Sequence, residues 1–320
     1  MAELAKPDRG RKMAFFGLKT ETFQAPKVKE KLERFVSDFS IEVMPRTAEK
    51  IGDFKDLLPE KTRVYIAHIE GTPIEDMVKT AKRLAEDGFP TMPHFPARII
   101  KDKATLNDWI SRYQGEAGVN QALLLGGGVD KPHGEYESSM DLLETGLFDQ
   151  ANFKDIHVAG HPEGNKDIDP DGSTKNVDAA LQWKQNFKNK TNAKMAITTQ
   201  FAFEAGPIIE WANSIKKAEI DIPIHIGIAG PAKLQTLIKF ALACGVGPSL
   251  KVLQKRATDV TKLLLPYEPT EVLSQLADHK AKNPDFNISN VHFFPLGGIK
   301  TNANWVTENC GAAGVPANQM

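Results

Sequence analysis

An acidic side chain inside an apolar run is the first residue of this chain that could do chemistry. Glu42 lies in the stretch FSIEVMPRT, where Ile41 and Val43 flank it and Pro45 ends the run. Strand interiors disfavour Glu, and a buried carboxylate without a partner is costly unless its pKa shifts until it is neutral. We therefore expect either an ion pair, with Arg46 as partner, or a reaction that needs an acid at this place.

Further polar residues follow other short apolar runs. Gln200, in ITTQFAF, carries an amide that must find partners or serve a ligand. The run Gly126–Gly128, in LLLGGGVDKPHGE, either makes a tight loop or lets a ligand approach the backbone, and no Gly-Lys-Ser/Thr of a P-loop follows it. His157 and His161 have no further ligands at metal spacing, so we predict hydrogen-bonded histidines and no metal site.

The composition excludes several classes of protein. The 320 residues are 41% hydrophobic and 25% charged, with a formal net charge of -1, so nothing favours binding to nucleic acid or to an anionic membrane. Two cysteines are too few for a disulfide framework, which is typical of a reducing compartment. Neither a signal peptide nor an apolar membrane span is recognisable, and we expect a cytoplasmic protein.

The elements that must position these residues alternate along the chain. Short apolar runs rich in β-branched residues, typical of buried parallel strands, alternate with segments of helical period. One helix is predicted after Thr72-Pro73, with Thr72 as N-cap, and others after Pro231 and Pro269. A further helical segment is expected over 250–264. The predicted strands cover residues 40–44, 63–68, 91–95, 121–125, 155–159, 195–201, 222–228 and 291–296.

Eight strands alternating with helices predict a (β/α)₈ TIM barrel with extra helices before the last strand. An open doubly wound sheet is the alternative, and the absence of G-x-G-x-x-G after the first strand weakens a dinucleotide-binding interpretation. We interpret residues 1–320 as a single catalytic domain: a lead-in over 1–36, the barrel over 37–300 and a tail over 301–320. In such a barrel the active site lies at the carboxyl ends of the strands.

Four motifs at those strand ends resemble the methylenetetrahydrofolate reductase family. They are IEVMPRT on strand one, PHF on strand three, GHPEGN on strand five and ITTQFAF on strand six. Each motif is weak alone, but their order and spacing agree with the family from about Phe39 to Leu296. The resemblance is to the FAD-dependent catalytic barrel. Because the chain ends soon after the barrel, we expect the short form, without the regulatory domain of longer relatives.

The resemblance implies an enzyme that interconverts methylenetetrahydrofolate and methyltetrahydrofolate in one-carbon metabolism. Non-covalent FAD would pass the hydride, with NAD(P)H as the expected donor. A general acid must protonate the departing folate nitrogen, and Glu42 matches the family's acid, so we expect its apolar surroundings to raise its pKa. The partners implied are the folate and NAD(P)H, with no nucleic acid or membrane; a homo-oligomer is compatible with the barrel.

The resemblance also assigns binding residues by position. Gln200, Phe203 and Asp130 match substrate contacts, since an amide can bind the pterin edge and an aromatic ring can flank it. The residues that match FAD contacts are His94, Leu125, Gly126, Gly127, Gly128, Gly160, His161, Glu163, Asn165, Asp178 and Lys184.

Some positions depart from the family pattern. After strand four the family commonly has Arg-Gly-Asp, whereas this chain has Gly126 and Gly128 at the charged positions, which makes Asp130 the candidate replacement for the acid. Lys188 is an alternative to Lys184, and Ala67 stands where the family has threonine. A flavin-free, tetrahydrofolate-dependent methyltransferase or demethylase barrel is therefore the alternative function, since Glu42 and Gln200 would suit either.

Overall fold

Eight parallel strands close into a barrel in the computed structural model, which describes residues 25–246, 253–254 and 266–310. Each strand pairs with the next in the chain, and the last pairs with the first. The strands are β1 (Ser40–Val43), β2 (Arg63–Ile66), β3 (Thr91–Pro96), β4 (Gln121–Leu125), β5 (Asp155–Gly160), β6 (Lys194–Ala202), β7 (Ile224–Ala229) and β8 (Ile288–Phe294).

Helices cover the outside of the barrel. They are α1 (Ala25–Val36), α2 (Pro45–Ala48), α3 (Ile74–Glu86), α4 (Lys103–Ala117), α5 (Ser139–Glu144), α6 (Leu147–Gln150), α7 (Lys175–Lys188), α8 (Ala205–Lys217), α9 (Leu234–Ala243), α10 (Thr270–Lys282) and α11 (Ile299–Cys310), with a 3₁₀ turn at Ala97–Ile99. No helix in the described part of the chain has the length and apolarity that a membrane span requires.

The two faces of the strands have different chemistry. Outward side chains such as Val64, Ile156 and Ile226 are fully buried under the helices. Alternate positions face the barrel interior, where Tyr65 and His157 lie. Because both faces of each strand are covered, the strands appear in the sequence as mainly apolar runs. The polar residues within these runs face the interior of the barrel.

The strand-one motif ends β1 by forming a turn of helix. Pro45 begins α2, and its fixed φ suits the first helical position. The Thr47 hydroxyl donates to the Met44 carbonyl at 2.8 Å and accepts from the Met44 N–H at 3.0 Å. The strand therefore stops just after Glu42, which leaves that side chain at the carboxyl end of the barrel.

The predicted (β/α)₈ barrel is confirmed, with differences in element boundaries. β8 begins at Ile288, earlier than the predicted 291, because Asn290 and Ser289 hydrogen-bond backbone carbonyls of Asp38 and Ile224 and so fit in a strand. The prediction that Thr72 is the N-cap of α3 is wrong. Pro73 occupies the N-cap position, and its carbonyl accepts from the backbone N–H groups of Asp76 and Met77. The segment predicted over 250–264 lies outside the described residues, apart from 253–254.

The segments that precede and follow the strands pack together. α1 lies within the residues interpreted as a lead-in and packs against α10 and α11. Lys31 of α1 forms an ion pair with Asp278 of α10. α11 extends from the barrel into the residues interpreted as a tail, with Trp305 and Val306 buried in the main core.

Candidate functional site at the carboxyl end of the barrel

The Glu42 carboxylate lies between two histidines. Its Oε2 is 3.3 Å from Nε2 of His94, on β3, and 3.9 Å from Nε2 of His292, on β8. Both nitrogens lack any other partner among the described residues. Arg46, the ion-pair partner that the sequence suggested, is exposed and forms no ion pair with Glu42 in the described structure. We call Glu42, His94 and His292 the carboxylate clamp.

Ser40 fixes the orientation of His292. The register of β1 with β8 pairs Ser40 with His292, and Ser40 Oγ lies 2.9 Å from His292 Nδ1. A carboxylate only accepts hydrogen bonds, so the proton of the neutral ring belongs on Nε2, towards Glu42, and Nδ1 accepts from the Ser40 hydroxyl. The ring is fully buried, with the Tyr65 ring 4.3 Å away between centroids. His292 is therefore held in a single orientation.

The pKa of Glu42 differs from the prediction. Burial acts to raise it, as expected, but hydrogen bonds from His292 and His94, and their charge when protonated, outweigh burial and lower the pKa from 4.5 to about 2. The predicted rise is wrong because it considered desolvation without the two imidazoles. Without a bound ligand, Glu42 is a carboxylate at neutral pH.

A β-bulge positions Gln200. Between Thr198 and Phe201, β6 has one residue more than the facing part of β7. The Thr199 hydroxyl fills the gap by accepting from the Gly227 N–H at 2.8 Å. A Cβ on Gly227 would lie 2.3 Å from the Thr199 carbonyl oxygen, so only glycine fits opposite the bulge. Gln200 is partly exposed and uses Oε1 to accept from the Phe201 N–H at 3.0 Å, and its amide NH₂ has no partner among the residues that the structure describes.

The glycines after β4 have different roles. Gly127 has φ +101°, and a Cβ there would approach Pro96 to 3.1 Å, so this glycine is required by the backbone. A Cβ on Gly128 would meet no atom within 4 Å, so its backbone borders open space. Arg98 holds this loop: it donates to the carbonyls of Val129 and Glu137 and pairs with Asp167 at 2.7 Å.

A buried lysine lies behind the end of β5. Lys184, on α7, is 6% exposed and donates to the Ala159 carbonyl at 3.1 Å; in the described residues no carboxylate lies within ion-pair distance of it. Burial lowers its pKa to about 8. The pKa of His161 is lowered to about 4, mainly by burial and to a smaller extent by the nearby charge of Lys184. Asn165 lies 3.5 Å from His161.

Other predicted contacts have structural explanations or lie apart from the carboxylate clamp. A Cβ on Gly160 would collide with Ile197, so packing alone requires this glycine. Asp178 is exposed and accepts from Thr174, as a residue near a helix start does. Lys188, one helical turn after Lys184 on α7, pairs instead with Asp221 in the loop before β7.

The remaining predicted residues are placed as follows. Asp130 is exposed in the loop after β4, and Glu163 is partly buried after β5. Leu125 packs against an interior group that contains Tyr65. Phe203 is buried with its ring edge-on to Phe201 and Tyr267, so its packing gives no support for a role in flanking a ligand.

Sequence reasoning missed three residues that shape this end of the barrel: Ser40, Arg98 and His292. Ser40 and His292 share the inward register of Glu42, and that alternation was the signal that could have found them. Arg98 carried no such signal, because its contacts depend on the loops after β4 and β5. No group of three or more His, Cys, Asp or Glu in the described range could hold a metal ion.

Comparison with known proteins identifies the family. The profile described as methylenetetrahydrofolate reductase matches residues 60–258, which is more than half of the chain. A parallel eight-stranded barrel with polar residues at its carboxyl end is the architecture of many enzymes. This chain belongs to the methylenetetrahydrofolate reductase family. The match includes His94, Lys184 and Gln200, whereas Glu42 and His292 lie outside the matched residues.

Two solved structures share similarity with the chain. An uncharacterised protein from Clostridium thermocellum, which binds two copies of 5-methyl-5,6,7,8-tetrahydrofolic acid, superposes with a TM-score of 0.51 at 10% identity, over 88% of this chain and 96% of that one. At this identity the similarity concerns the fold. An enoyl-[acyl-carrier-protein] reductase (NADH) from Aquifex aeolicus VF5 matches at a TM-score of 0.29 and 13% identity, over 77% and 97% of the two chains, and supports no inference.

Proposed function

We propose that this chain interconverts methylenetetrahydrofolate and methyltetrahydrofolate, with FAD as its redox cofactor and NAD(P)H as the donor. Family membership supports a folate substrate. The observation that carries the proposal is the carboxylate clamp: an ionised Glu42 at the carboxyl end of the barrel, between two imidazoles that can exchange protons with it.

The chain's own residues fit a flavin cofactor. The buried Lys184 ammonium has three donors but a single acceptor in the described structure, which suits an anionic group such as a diphosphate. The open backbone at Gly128 lets N–H groups approach such a group. Lys184, His161 and Gly128 would hold FAD, which supplies hydride exchange between a nicotinamide nucleotide and the folate.

Proton delivery in this proposal belongs to Glu42 and His94 together. Reduction of the folate requires one proton on the departing nitrogen, and a carboxylate with a pKa of about 2 carries none at neutral pH. A proton on His94 Nε2 faces Glu42 Oε2 across 3.3 Å, so imidazolium–carboxylate and imidazole–carboxylic acid differ by one short transfer. The pair gives one proton to the folate and regains it from solvent.

Gln200 is the proposed pterin contact. The bulge directs this side chain out of the regular alternation of β6, and its amide NH₂ is not used by the described residues. An amide that donates with NH₂ and accepts with Oε1 matches the mixed donor and acceptor edge of a pterin. Asp130, exposed in the loop after β4, is the proposed acidic contact at the mouth of the barrel.

The flavin-free methyltransferase barrel is the second candidate. The observation that favours it is the loop after β4, where Gly126 and Gly128 replace the charged residues expected for a flavin, while Asp178 is hydrogen-bonded to Thr174. The two functions differ in a property of the purified protein. A flavoprotein absorbs in the visible region, whereas the methyltransferase has no flavin absorbance.

An anaerobic titration tests the proposal. The purified chain, loaded with FAD, is mixed with methyltetrahydrofolate, and we expect the flavin absorbance to bleach as the reverse reaction reduces it. NADH and NADPH are then titrated separately to identify the donor. A chain that binds methyltetrahydrofolate but neither retains FAD nor bleaches it would contradict the reductase and favour the methyltransferase.

A further inference from the structure

A cavity of about 620 Å³ opens at the amino-terminal ends of the strands, opposite the carboxylate clamp. Its volume is within the range of roughly 300–1,000 Å³ found for small-molecule sites. We call it the amino-end cavity. The residues of its inner wall that matter here are Ser40, Arg63, Gln121, Asp155, Ala196 and His225.

The lining of the amino-end cavity is not what packing alone would select. Branched aliphatic side chains normally fill the interior of such a barrel in layers. Here Ser40 and Ala196 are small and leave space, while Arg63, Gln121 and Asp155 bring polar groups into it. The cavity therefore combines a volume and a polarity that stability does not require.

The Arg63 guanidinium is held in place at this end. It lies 3.6 Å from Asp155 Oδ1 and 3.4 Å from His157 Nε2. Because arginine only donates, His157 Nε2 is the acceptor and its Nδ1–H donates to Tyr65 Oη at 2.6 Å. The Tyr65 hydroxyl in turn lies 3.2 Å from Thr198 Oγ1. The guanidinium is thus oriented before any ligand arrives.

Three polar atoms of the cavity residues have unused hydrogen-bonding capacity. Arg63 Nε, Gln121 Oε1 and His225 Nδ1 are buried and have no hydrogen-bond partner in the described residues. Buried polar groups without partners are unfavourable and are uncommon in native proteins. Two potential donors and one acceptor around a single cavity are the groups expected to recognise a small polar molecule.

We propose that the amino-end cavity binds a small carboxylate that also carries a hydroxyl or amino group. Arg63 matches the carboxylate as a planar donor, and Gln121 Oε1 accepts from the hydroxyl or amine. Arg63 is the partly buried cation of the wall, and its pairing with Asp155 orients it towards a ligand, whereas Lys194 is exposed. Asp38, Glu60 and Lys61 at the rim are exposed, where solvent screens their charges.

Calorimetric titration of the purified full chain with L-lactate, L-serine and L-malate tests this site. We expect saturable 1:1 binding of at least one of them in the presence of saturating methyltetrahydrofolate, because the cavity opens at the end of the barrel opposite the carboxylate clamp. Ala196→Leu, which fills the cavity and removes no polar group, should abolish binding. Arg63→Gln should weaken it about tenfold or more, as loss of a charge-assisted contact does.

Lys217→Gln is the matched control, because this exposed lysine ends α8 at the same end of the barrel and does not line the cavity. Its affinity should equal that of the wild type. Thermal unfolding of each variant verifies that the chain is folded. The proposal is wrong if none of the three carboxylates binds, if inorganic phosphate binds in their place, or if binding survives Ala196→Leu. These outcomes do not depend on flavin or folate turnover.

Discussion

The two ends of the barrel interior hold a carboxylate in different ways. At the amino end, Asp155 faces the guanidinium of Arg63, which has donors and no acceptor. At the carboxyl end, Glu42 faces His94 and His292, whose imidazole nitrogens can both donate and accept a proton. The arginine arrangement can bind an anion but cannot relay a proton. The histidine arrangement can relay a proton.

Tyr65 separates these two arrangements. Its hydroxyl hydrogen-bonds the amino-end residues His157 and Thr198, while its ring packs on His292. Burial raises the pKa of Tyr65 to about 12, so the phenol stays protonated at neutral pH. In our proposals, proton transfer takes place at one end of this polar interior and anion binding at the other. Variants at Arg63 should leave the carboxylate clamp unchanged, whereas Ser40 belongs to both ends, because it lines the cavity and contacts His292 Nδ1.

Glu42→Gln should have the largest effect. The change removes a proton-carrying group and almost no volume, so folate turnover should fall by roughly 10²–10⁴-fold while FAD remains bound. Stopped-flow measurement of flavin reoxidation by methylenetetrahydrofolate gives the rate. Glu49→Gln, an exposed carboxylate after α2, is the control and should react as the wild type. Near-wild-type turnover in Glu42→Gln would remove Glu42 from the proton transfer.

The pH dependence of stability tests the charge state of Glu42. Its pKa is lowered from 4.5 in the unfolded chain to about 2, so its contribution is complete above pH 4.5 and is lost as the pH falls towards 2. The full contribution is roughly 3 kcal/mol. Urea unfolding of the wild type and Glu42→Gln between pH 6 and pH 3 should show their difference in unfolding free energy shrinking as the pH falls.

Removal of the histidines sharpens this test. In a His94→Asn, His292→Asn double variant, burial alone acts on Glu42, and its pKa should rise above 4.5. Carbon-13 NMR of the glutamate carboxyl groups would measure the titration. A Glu42 that still titrates near 2 in this variant would show that the carboxylate clamp does not set its charge.

Gly227→Ala should destabilise the chain by about 1–3 kcal/mol, because the added Cβ would meet the backbone of the β6 bulge. Folate affinity should fall with it, since the bulge directs Gln200. Gly115→Ala is the control: this helical glycine has no atom within 4 Å of its missing Cβ, and the change should stabilise the chain by roughly 0.5–1 kcal/mol. If the Gly227→Ala variant is destabilised but keeps its folate affinity, the bulge does not position Gln200 for folate binding.

Gln200→Ala should have the smallest effect, weakening folate binding by roughly tenfold, which is about one hydrogen bond. Flavin reduction by NAD(P)H should persist because the residue contacts the folate alone in the proposed site. Equilibrium titration with methyltetrahydrofolate measures the affinity. Arg63→Gln, at the amino end, provides the comparison and should leave folate affinity unchanged if the two ends act separately.

The sequence predicts the barrel well and the site only in part. Continuous apolar runs such as 122–125 locate strands because both faces are buried, and the alternation of strands with helices leaves few architectures. The ionised state of Glu42 could not be predicted from such sequence patterns. Its partners come from β3 and β8, and which imidazole faces which carboxylate depends on the register of strands that are distant in the chain.

The extra residue of β6 has a consequence for exchanging parts between barrels. Because the bulge and Gly227 occupy each other's space, neither strand can be transplanted alone. A chimera that imports β6 without the facing glycine would separate the two strands, and one that deletes Thr199 would remove the bulge and the hydroxyl that accepts from the Gly227 N–H. In the design of chimeric barrels, β6 and β7 of this protein therefore have to be exchanged together as one unit.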